Sequence, residues 1–183
     1  MRRYALTGVP GTGKTTLAEA LARRGDVAVV HLNEFARERG LLREKDESRG
    51  SYLVDMDELA DALHEALEGR DDAAVVVEGH FAHEMDVDAV ILLRCDPLVL
   101  YERLRARGWP EAKVRENVEA EALDVLAQEV LDTELPAVEL DVSRLPVEEA
   151  AAALSRFAET PPKALKGERV GSAAWRVEQL PWF

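Results

Sequence analysis

One short stretch near the start of the chain combines the residue types that bind phosphate. It reads Gly8-Val9-Pro10-Gly11-Thr12-Gly13-Lys14-Thr15-Thr16, a glycine and four residues followed by Gly-Lys-Thr. The glycines let the backbone curl so that successive amide N–H groups point at phosphate oxygens. Lys14 could reach β- and γ-phosphates, the Thr15 hydroxyl could bind Mg²⁺, and Thr16 is placed to contact an α-phosphate. The stretch therefore predicts a nucleoside triphosphate site.

The flanks of this stretch support that interpretation. Residues 4–7 have the apolar character of a buried strand, and residues 16–22 have an apolar stripe at helical spacing. A strand, a glycine loop and a helix in that order are the context of a phosphate-binding loop. The alternative is a glycine-rich turn without a ligand, which the Lys-Thr pair and both flanks disfavour.

Two further strand ends carry polar residues. In open parallel sheets, ligands bind at the carboxyl ends of the strands. Asn33 and Arg37 follow a predicted strand at 26–32, and Glu78-Gly79-His80 ends one at 73–77. Glu78 could hold Mg²⁺ directly or through water, or it could be a solvated loop acid. His80 could be a proton relay, a donor that orients a ligand, or an ordinary polar loop residue.

A series of arginines surrounds a break in the second half of the chain. Arg103 and Arg107 lie four residues apart and share a helix face, just before Gly108-Trp109-Pro110. Two guanidinium groups beside such a break suit a lid that closes over phosphates and neutralises charge during phosphoryl transfer. The alternative is a solvated basic face, with Arg105 and Arg115 included, paired with Glu102, Glu111 and Glu116.

The remaining segments alternate between strand and helix patterns. Further strands are predicted at 87–93 and 137–142, and helices at 34–39, 55–67, 97–107, 111–133 and 147–157. Residues 41–54 are polar and are predicted to be an irregular, mobile surface loop. Regular alternation predicts an α/β domain with a mostly parallel sheet.

Composition narrows the class of protein. The chain has 183 residues, a net charge of −13 and one cysteine. The length predicts one domain with room for a small appendage, and a lone cysteine excludes an intrachain disulfide and favours a reducing compartment. No apolar run approaches the roughly 20 residues of a membrane span, and the first strand starts at once, so a cytoplasmic protein is expected.

The acidic charge opposes nonspecific attraction to nucleic acid or anionic membranes. With only five lysines, it also suggests a salt-rich cytoplasm.

The other reactive residue types show no chemical pattern. His31, His64 and His83 are isolated and lack metal-ligand spacing, which favours ordinary surface or loop positions. Cys95 follows a predicted strand and is expected to pack at its end, without a nucleophilic role.

Several blocks together resemble the adenylate kinase isoenzyme six family of archaeal and nuclear nucleotide kinases. The phosphate loop matches, as do Asn33 with Ala36-Arg37-Glu38, and the acidic Asp55-Met56-Asp57-Glu58-Leu59. The most specific match is the run Leu100-Tyr101-Glu102-Arg103-Leu104, Arg107-Gly108-Trp109, Glu116-Asn117 and Glu119-Ala120-Glu121. The resemblance covers about residues 1–158.

The resemblance implies a three-layer P-loop nucleoside monophosphate kinase fold with a five-stranded parallel sheet. Residues 1–158 would be the kinase domain, with a monophosphate-binding segment near 31–54 and a lid near 106–116. ATP would bind to the phosphate loop (Gly8, Gly11, Thr12, Gly13, Lys14, Thr15 and Thr16) and to Arg107. Asn33 and Arg37 would lie near the monophosphate, and Thr15 and Glu78 would hold Mg²⁺.

Two features depart from the family pattern. Glu78 stands where the family has aspartate, and the extra methylene can move Mg²⁺ coordination outward or make it water-mediated. Residues 159–183 have no expected counterpart in the family pattern and carry four basic and three acidic residues. They are predicted to form a flexible tail, although Trp175, Trp182 and Phe183 could anchor its end.

The expected activity is adenylate kinase, ATP + AMP ⇌ 2 ADP, with Lys14, Arg103, Arg107, Glu78 and His80 in the catalytic site. The resemblance also implies an alternative, an ATPase that acts in small-ribosomal-subunit maturation and binds a small-subunit ribosomal protein or pre-ribosomal particle. A third possibility is a small-metabolite kinase of similar fold, which the run from Tyr101 to Glu121 disfavours. Neither membrane contact nor sequence-specific nucleic acid binding is expected.

Overall fold

Five parallel strands form the central sheet of the protein. The computed structural model describes residues 1–25, 27–46, 51–159 and 179–182. The strands are β1 (Arg2–Thr7), β2 (Ala28–His31), β5 (Ala74–Glu78), β6 (Ala89–Arg94) and β7 (Ala137–Asp141). Their order in the sheet is β2-β5-β1-β6-β7, with every neighbouring pair parallel. The sequence-based prediction of a five-stranded parallel sheet is confirmed.

Helices cover both faces of this sheet. They are α1 (Lys14–Arg24), α2 (Leu32–Glu38), α3 (Met56–Leu67), α4 (Pro97–Ala106), α5 (Glu111–Ala122), α6 (Val125–Asp132) and α7 (Val147–Glu159). One apolar core joins α1 and α7 to one face of the sheet. A second core joins the remaining helices to the other face. The inner strands β5 and β6 are buried at every position, and their residues are apolar up to the last one, Glu78 in β5 and Arg94 in β6.

The chain directions place the functional residues at one edge of the sheet. Since all five strands are parallel, their carboxyl ends lie together. β1 leads into the phosphate loop, β2 ends at His31, and β5 ends at Glu78. The register pairs His31 with Glu78 and Leu6 with Glu78, so the ends of β2, β5 and β1 are level.

Residues 41–54 are not the irregular loop that their polarity predicted. Their described parts form an antiparallel hairpin, β3 (Leu42–Asp46) and β4 (Ser51–Val54). Leu42 and Val54 pair across the hairpin and pack against the core. Leu42, which begins the hairpin, and Val54, which ends it, attach the hairpin to the domain. Apolar residues are few and far apart in this part of the sequence.

The predicted long helix over 111–133 is also wrong. Two helices, α5 and α6, replace it, with the break at Leu123 and Asp124. Asp124 adopts the left-handed conformation with φ of 56°. Its carboxylate accepts a hydrogen bond from buried Arg94, a contact that helical periodicity does not reveal.

Most of the predicted tail, including Trp175 and Phe183, falls outside the described residues. At its end, Leu180 is buried and Trp182 packs edge to face against Tyr101, with ring centroids 5.3 Å apart. In the part of the chain that the structure describes, no helix is long and apolar enough to cross a membrane.

Candidate active site

The phosphate loop folds into a tight turn that only glycine permits at its key positions. Gly8 and Gly11 have φ of +152° and +99°. A Cβ on Gly11 would lie 2.7 Å from side-chain carbons of Leu100 and Leu104 in α4. A Cβ on Gly8 would lie 2.7 Å from the Leu93 carbonyl oxygen. The loop therefore depends on glycine both for its dihedral angles and for its close packing on β6 and α4.

Lys14 occupies the centre of this loop. Its ammonium donates to the carbonyl oxygens of Gly8 at 2.6 Å and Val9 at 3.2 Å. Burial is the main cause that lowers the pKa of Lys14 to about 8; the charge of Glu78 opposes this shift and that of Arg107 adds to it. A buried cation whose hydrogen bonds within the described residues go to two carbonyl oxygens is poised to bind an anion, because phosphate oxygens would compensate its lost hydration.

Thr15 and Glu78 meet beside Lys14. The Thr15 hydroxyl donates to Glu78 Oε1 at 3.3 Å, and Glu78 is almost fully buried. A hydroxyl and a carboxylate fit a magnesium ion that takes its other ligands from phosphates and water. Among the described residues, no group of three or more His, Cys, Asp or Glu side chains could hold a metal by itself. The donor set thus fits Mg²⁺ that arrives with a nucleotide.

His80 lies between two parts of the site. Its carbonyl oxygen accepts from the Thr7 hydroxyl at 2.9 Å, which ties the segment after β5 to the end of β1. Burial lowers the pKa of His80 to about 4, and the charge of Lys14 contributes. The imidazole is therefore neutral at neutral pH and can act as a hydrogen-bonding group there, but not as a cation.

Three adjoining pockets run along this edge of the sheet. The first, the phosphate pocket, is lined by Gly13, Lys14, Thr15, Glu78, His80 and Arg107, among others. The second, the outer pocket, shares Gly11, Gly13, Thr16 and Arg107 with it and adds Arg103, Val142 and Leu145. The third, the hairpin pocket, shares Asn33 and His80 with the phosphate pocket and adds Arg37, Tyr52, Leu53 and Phe81.

The structure brings Arg103 and Arg107 together at the outer pocket, but their surroundings differ. Arg103 donates to the carbonyl oxygens of Val142 and Ser143 at 3.0 and 3.1 Å, so backbone carbonyls already hold its guanidinium. Arg107 is the C-cap residue that follows α4, and it lines both the outer and the phosphate pockets. Arg107 is therefore better placed than Arg103 to move with a bound phosphate.

Two other arginines of the series have structural contacts. The Arg105 guanidinium lies over the ring of Tyr101 at 5.3 Å. Arg115 pairs with Glu119 at 2.7 Å and lies over the ring of Trp182 at 5.6 Å. Neither Arg105 nor Arg115 is among the residues that line the phosphate pocket or the outer pocket.

The predicted acceptor residues are placed at the hairpin pocket. Asn33 lies in α2, directly after the end of β2, and lines both the phosphate and hairpin pockets. Arg37 follows one helical turn later with its side chain 66% exposed, and it pairs loosely with Glu34 at 3.8 Å. A cation this exposed and weakly held is free to turn toward an anionic ligand.

The histidine assignments need correction. His31 is not isolated, because its Nδ1 lies 2.9 Å from Glu78 Oε2. His83 is not at the surface, since its buried ring lies 3.4 Å from the Thr7 hydroxyl, and burial lowers its pKa. His64 is half-exposed and lies 3.2 Å from Asp86, in keeping with a surface position.

A buried ionic cluster behind the site was not predicted. Arg94 contacts Glu121, Asp124 and Glu139 and is only 2% exposed. Burial alone would lower the pKa of Arg94, but these carboxylates together raise it above its ordinary value. Glu121 also accepts from the Cys95 backbone N–H at 2.9 Å. The cluster ties α5 and α6 to β6 and β7. The one sequence signal was an arginine at the end of an otherwise apolar strand.

Cys95 packs at the end of β6, as predicted. Its side chain is buried, and burial raises the pKa of the thiol to about 12. The thiol is therefore protonated at neutral pH, which fits a packing role.

Comparisons with known proteins identify relatives of this chain. Residues 5–124 match the family model described as "AAA domain". A protein of Natronomonas pharaonis named "Putative adenylate kinase" is 51% identical over 129 residues, which cover 70% of this chain and 72% of that protein. One of the same name from Archaeoglobus fulgidus is 38% identical and covers 95% of this chain and 92% of its own length. A third, from Thermococcus kodakarensis, is 34% identical over 98% of this chain, so most of residues 159–183 have a counterpart there.

Solved structures share the fold. A shikimate kinase from Bacteroides thetaiotaomicron has a TM-score of 0.57 and 23% identity, covering 87% of this chain and 99% of its own. A gluconokinase from Sinorhizobium meliloti has a TM-score of 0.52 and 25% identity, covering 86% of this chain and 94% of its own. From its matched domain and its archaeal relatives, the chain belongs to the AAA domain family of P-loop proteins and, within it, to the family of proteins named putative adenylate kinases.

Proposed function

We propose that this protein is a nucleoside monophosphate kinase that catalyses ATP + AMP ⇌ 2 ADP. The observation that carries the proposal is that the phosphate pocket adjoins two different pockets, the outer pocket and the hairpin pocket, which share no lining residue with each other. A phosphoryl group transferred between two nucleotides needs a nucleoside site on each side of one phosphate site. Relatives named putative adenylate kinase support AMP as the acceptor.

The donor half uses the phosphate loop and the outer pocket. Lys14 and the loop amides would bind the β- and γ-phosphates of ATP, and Thr16 would contact the α-phosphate. The outer pocket, which has the apolar side chains Leu17, Val142, Leu145 and Val147, would accept the nucleoside of ATP. Thr15 and Glu78 would hold Mg²⁺, which would neutralise the charge that develops on the phosphates.

The acceptor half uses the hairpin pocket. Tyr52, Leu53 and Phe81 offer an apolar wall for the base of AMP, while Arg37 and Asn33 offer donors for its phosphate. His80, neutral and shared by the two pockets, would donate a hydrogen bond near the phosphates. The acceptor phosphate would then lie beside the γ-phosphate.

Transfer requires no covalent enzyme intermediate. An oxygen of the AMP phosphate attacks the γ-phosphorus, and the bond from that phosphorus to the β,γ-bridging oxygen breaks, so that two ADP molecules form. Lys14, Arg103 and Arg107 would stabilise the charge on the moving group, and the protein contributes mainly positioning. Closure of the segment near 106–116 would exclude water, which would otherwise accept the phosphoryl group.

One assay tests the proposal. The protein is incubated with Mg-ATP and, in turn, each nucleoside monophosphate, shikimate and gluconate, while ADP and free phosphate are followed. We expect AMP-dependent ADP formation without free phosphate. Transfer to shikimate or gluconate but not to AMP would replace the proposal with a small-metabolite kinase. Phosphate release could instead be independent of AMP and increase when a small-subunit ribosomal protein is added. That result would replace the kinase proposal with the assembly ATPase that the isoenzyme six resemblance implies.

A further inference from the structure

The carboxylate of Glu78 is held from two sides. Its Oε1 accepts from the Thr15 hydroxyl at 3.3 Å, and its Oε2 lies 2.9 Å from Nδ1 of His31. His31 ends β2 and Glu78 ends β5, and the parallel register pairs these two residues directly. The pairing of β2 with β5 therefore places the His31 imidazole beside the Glu78 carboxylate.

A glutamate at this position needs such a partner more than an aspartate would. It has one more rotatable bond, so a glutamate without a second contact can adopt more orientations. Glu78 is also almost fully buried, and a buried carboxylate requires hydrogen-bond donors. An imidazole with a proton on Nδ1 supplies one such donor.

We propose that His31 is a positioning residue, which orients the Glu78 carboxylate toward Thr15 and so completes the Mg-nucleotide site. Glu78 is among the described residues that line the phosphate pocket, and His31 is not, so His31 acts through Glu78. The inference rests on the donor half of the proposed function and is independent of the acceptor. Residues one step removed from a metal commonly set its affinity by orienting the direct ligand.

The test measures binding without turnover. The affinity of the β,γ-imido analogue of ATP is determined by calorimetry with excess Mg²⁺ and again in EDTA. We expect His31→Ala to weaken binding about tenfold in Mg²⁺ and to leave binding in EDTA within about twofold of the wild type. His31→Asn, which keeps a donor, should recover part of the loss. His64→Ala is the matched control, because His64 contacts Asp86 at the surface.

A second variant separates positioning from general destabilisation. In Glu78→Asp the shorter side chain withdraws its carboxylate from His31, so adding His31→Ala should change the Mg²⁺ affinity by less than about twofold. Any of three results would overturn the proposal. His31→Ala could weaken binding of the analogue equally with and without Mg²⁺, or weaken it equally in the Glu78→Asp background, or leave the affinity unchanged. Binding stoichiometry reports the folded fraction of every variant. Because no acceptor is present, a wild-type protein that fails to phosphorylate AMP leaves this test intact.

Discussion

The two halves of the proposed active site are built differently. On the donor side, Lys14 and Glu78 are buried and already have hydrogen-bond partners. On the acceptor side, the Arg37 side chain is 66% exposed, and Tyr52 and Leu53 are 55% and 57% exposed. The donor side chains are therefore held in position by the protein itself, whereas the acceptor side chains would be held in position only by a bound ligand. Donor variants should therefore affect the reaction more than acceptor variants do.

The largest effect is expected from Lys14→Ala. The loss of the buried ammonium at the centre of the phosphate loop should lower the rate of ADP formation about 10³-fold. Steady-state kinetics with Mg-ATP and AMP measure it, with Arg23→Ala, in the exposed last turn of α1, as the control. A variant that keeps more than a tenth of the wild-type rate would place the phosphate site elsewhere.

Gly11→Ala tests whether the donor loop is as tightly packed as its contacts indicate. The added Cβ would lie 2.7 Å from side-chain carbons of Leu100 and Leu104. We therefore expect the free energy of unfolding, measured in urea, to fall by about 2–4 kcal/mol. Gly40→Ala is a matched control, since Gly40 has a similar positive φ of +69° but no atom within 4 Å of the new Cβ. Gly40→Ala should lower the free energy of unfolding by only about 1 kcal/mol. Equal losses would mean that backbone strain alone, without packing, restricts Gly11.

Arg37→Ala tests the acceptor half. Because Arg37 is exposed and would gain its contact only from the ligand, we expect the KM for AMP to rise about tenfold. The KM for ATP and the free energy of unfolding should stay near the wild-type values. Arg39→Ala, two residues away with its guanidinium over Phe35, serves as the control. A matching rise in the KM for ATP would assign Arg37 to the donor.

The smallest effect is expected at Cys95, which lies behind the donor loop with its Sγ 3.4 Å from the Arg103 guanidinium. Burial raises the pKa of this thiol to about 12, so the thiolate is scarce at pH 7–8. Dithionitrobenzoate should react with the folded protein at least about 100-fold more slowly than with the protein in urea. Similar rates in both conditions would show that the region behind the donor loop opens readily.

Features that depend on near neighbours in the chain were predictable. The phosphate loop is one continuous strand, turn and helix, so its residues are close in space because they are close in sequence. The same holds for the helix that begins at Pro97, whose start Asp96 caps by accepting from the Leu98 N–H.

Features that join distant residues were not predictable in the same way. The break between α5 and α6 depends on a contact of Asp124 with Arg94, 30 residues earlier. His31 lacked any motif, yet the register of β2 on β5 places it against Glu78, 47 residues later. Helical periodicity and motif spacing report local order and carry no information about such pairs.

The sequence by itself therefore determined the layered α/β architecture and the presence of a phosphate loop with Lys14 and Thr15. It also indicated Glu78 and Arg107 as candidate partners of that loop. Only the tertiary structure decided which side chains support them. It placed Arg94 against Glu121, carbonyls around Arg103, and His31 beside Glu78. The physical reason is that these contacts arise from the order and register of the strands, which the whole core determines and no local pattern encodes.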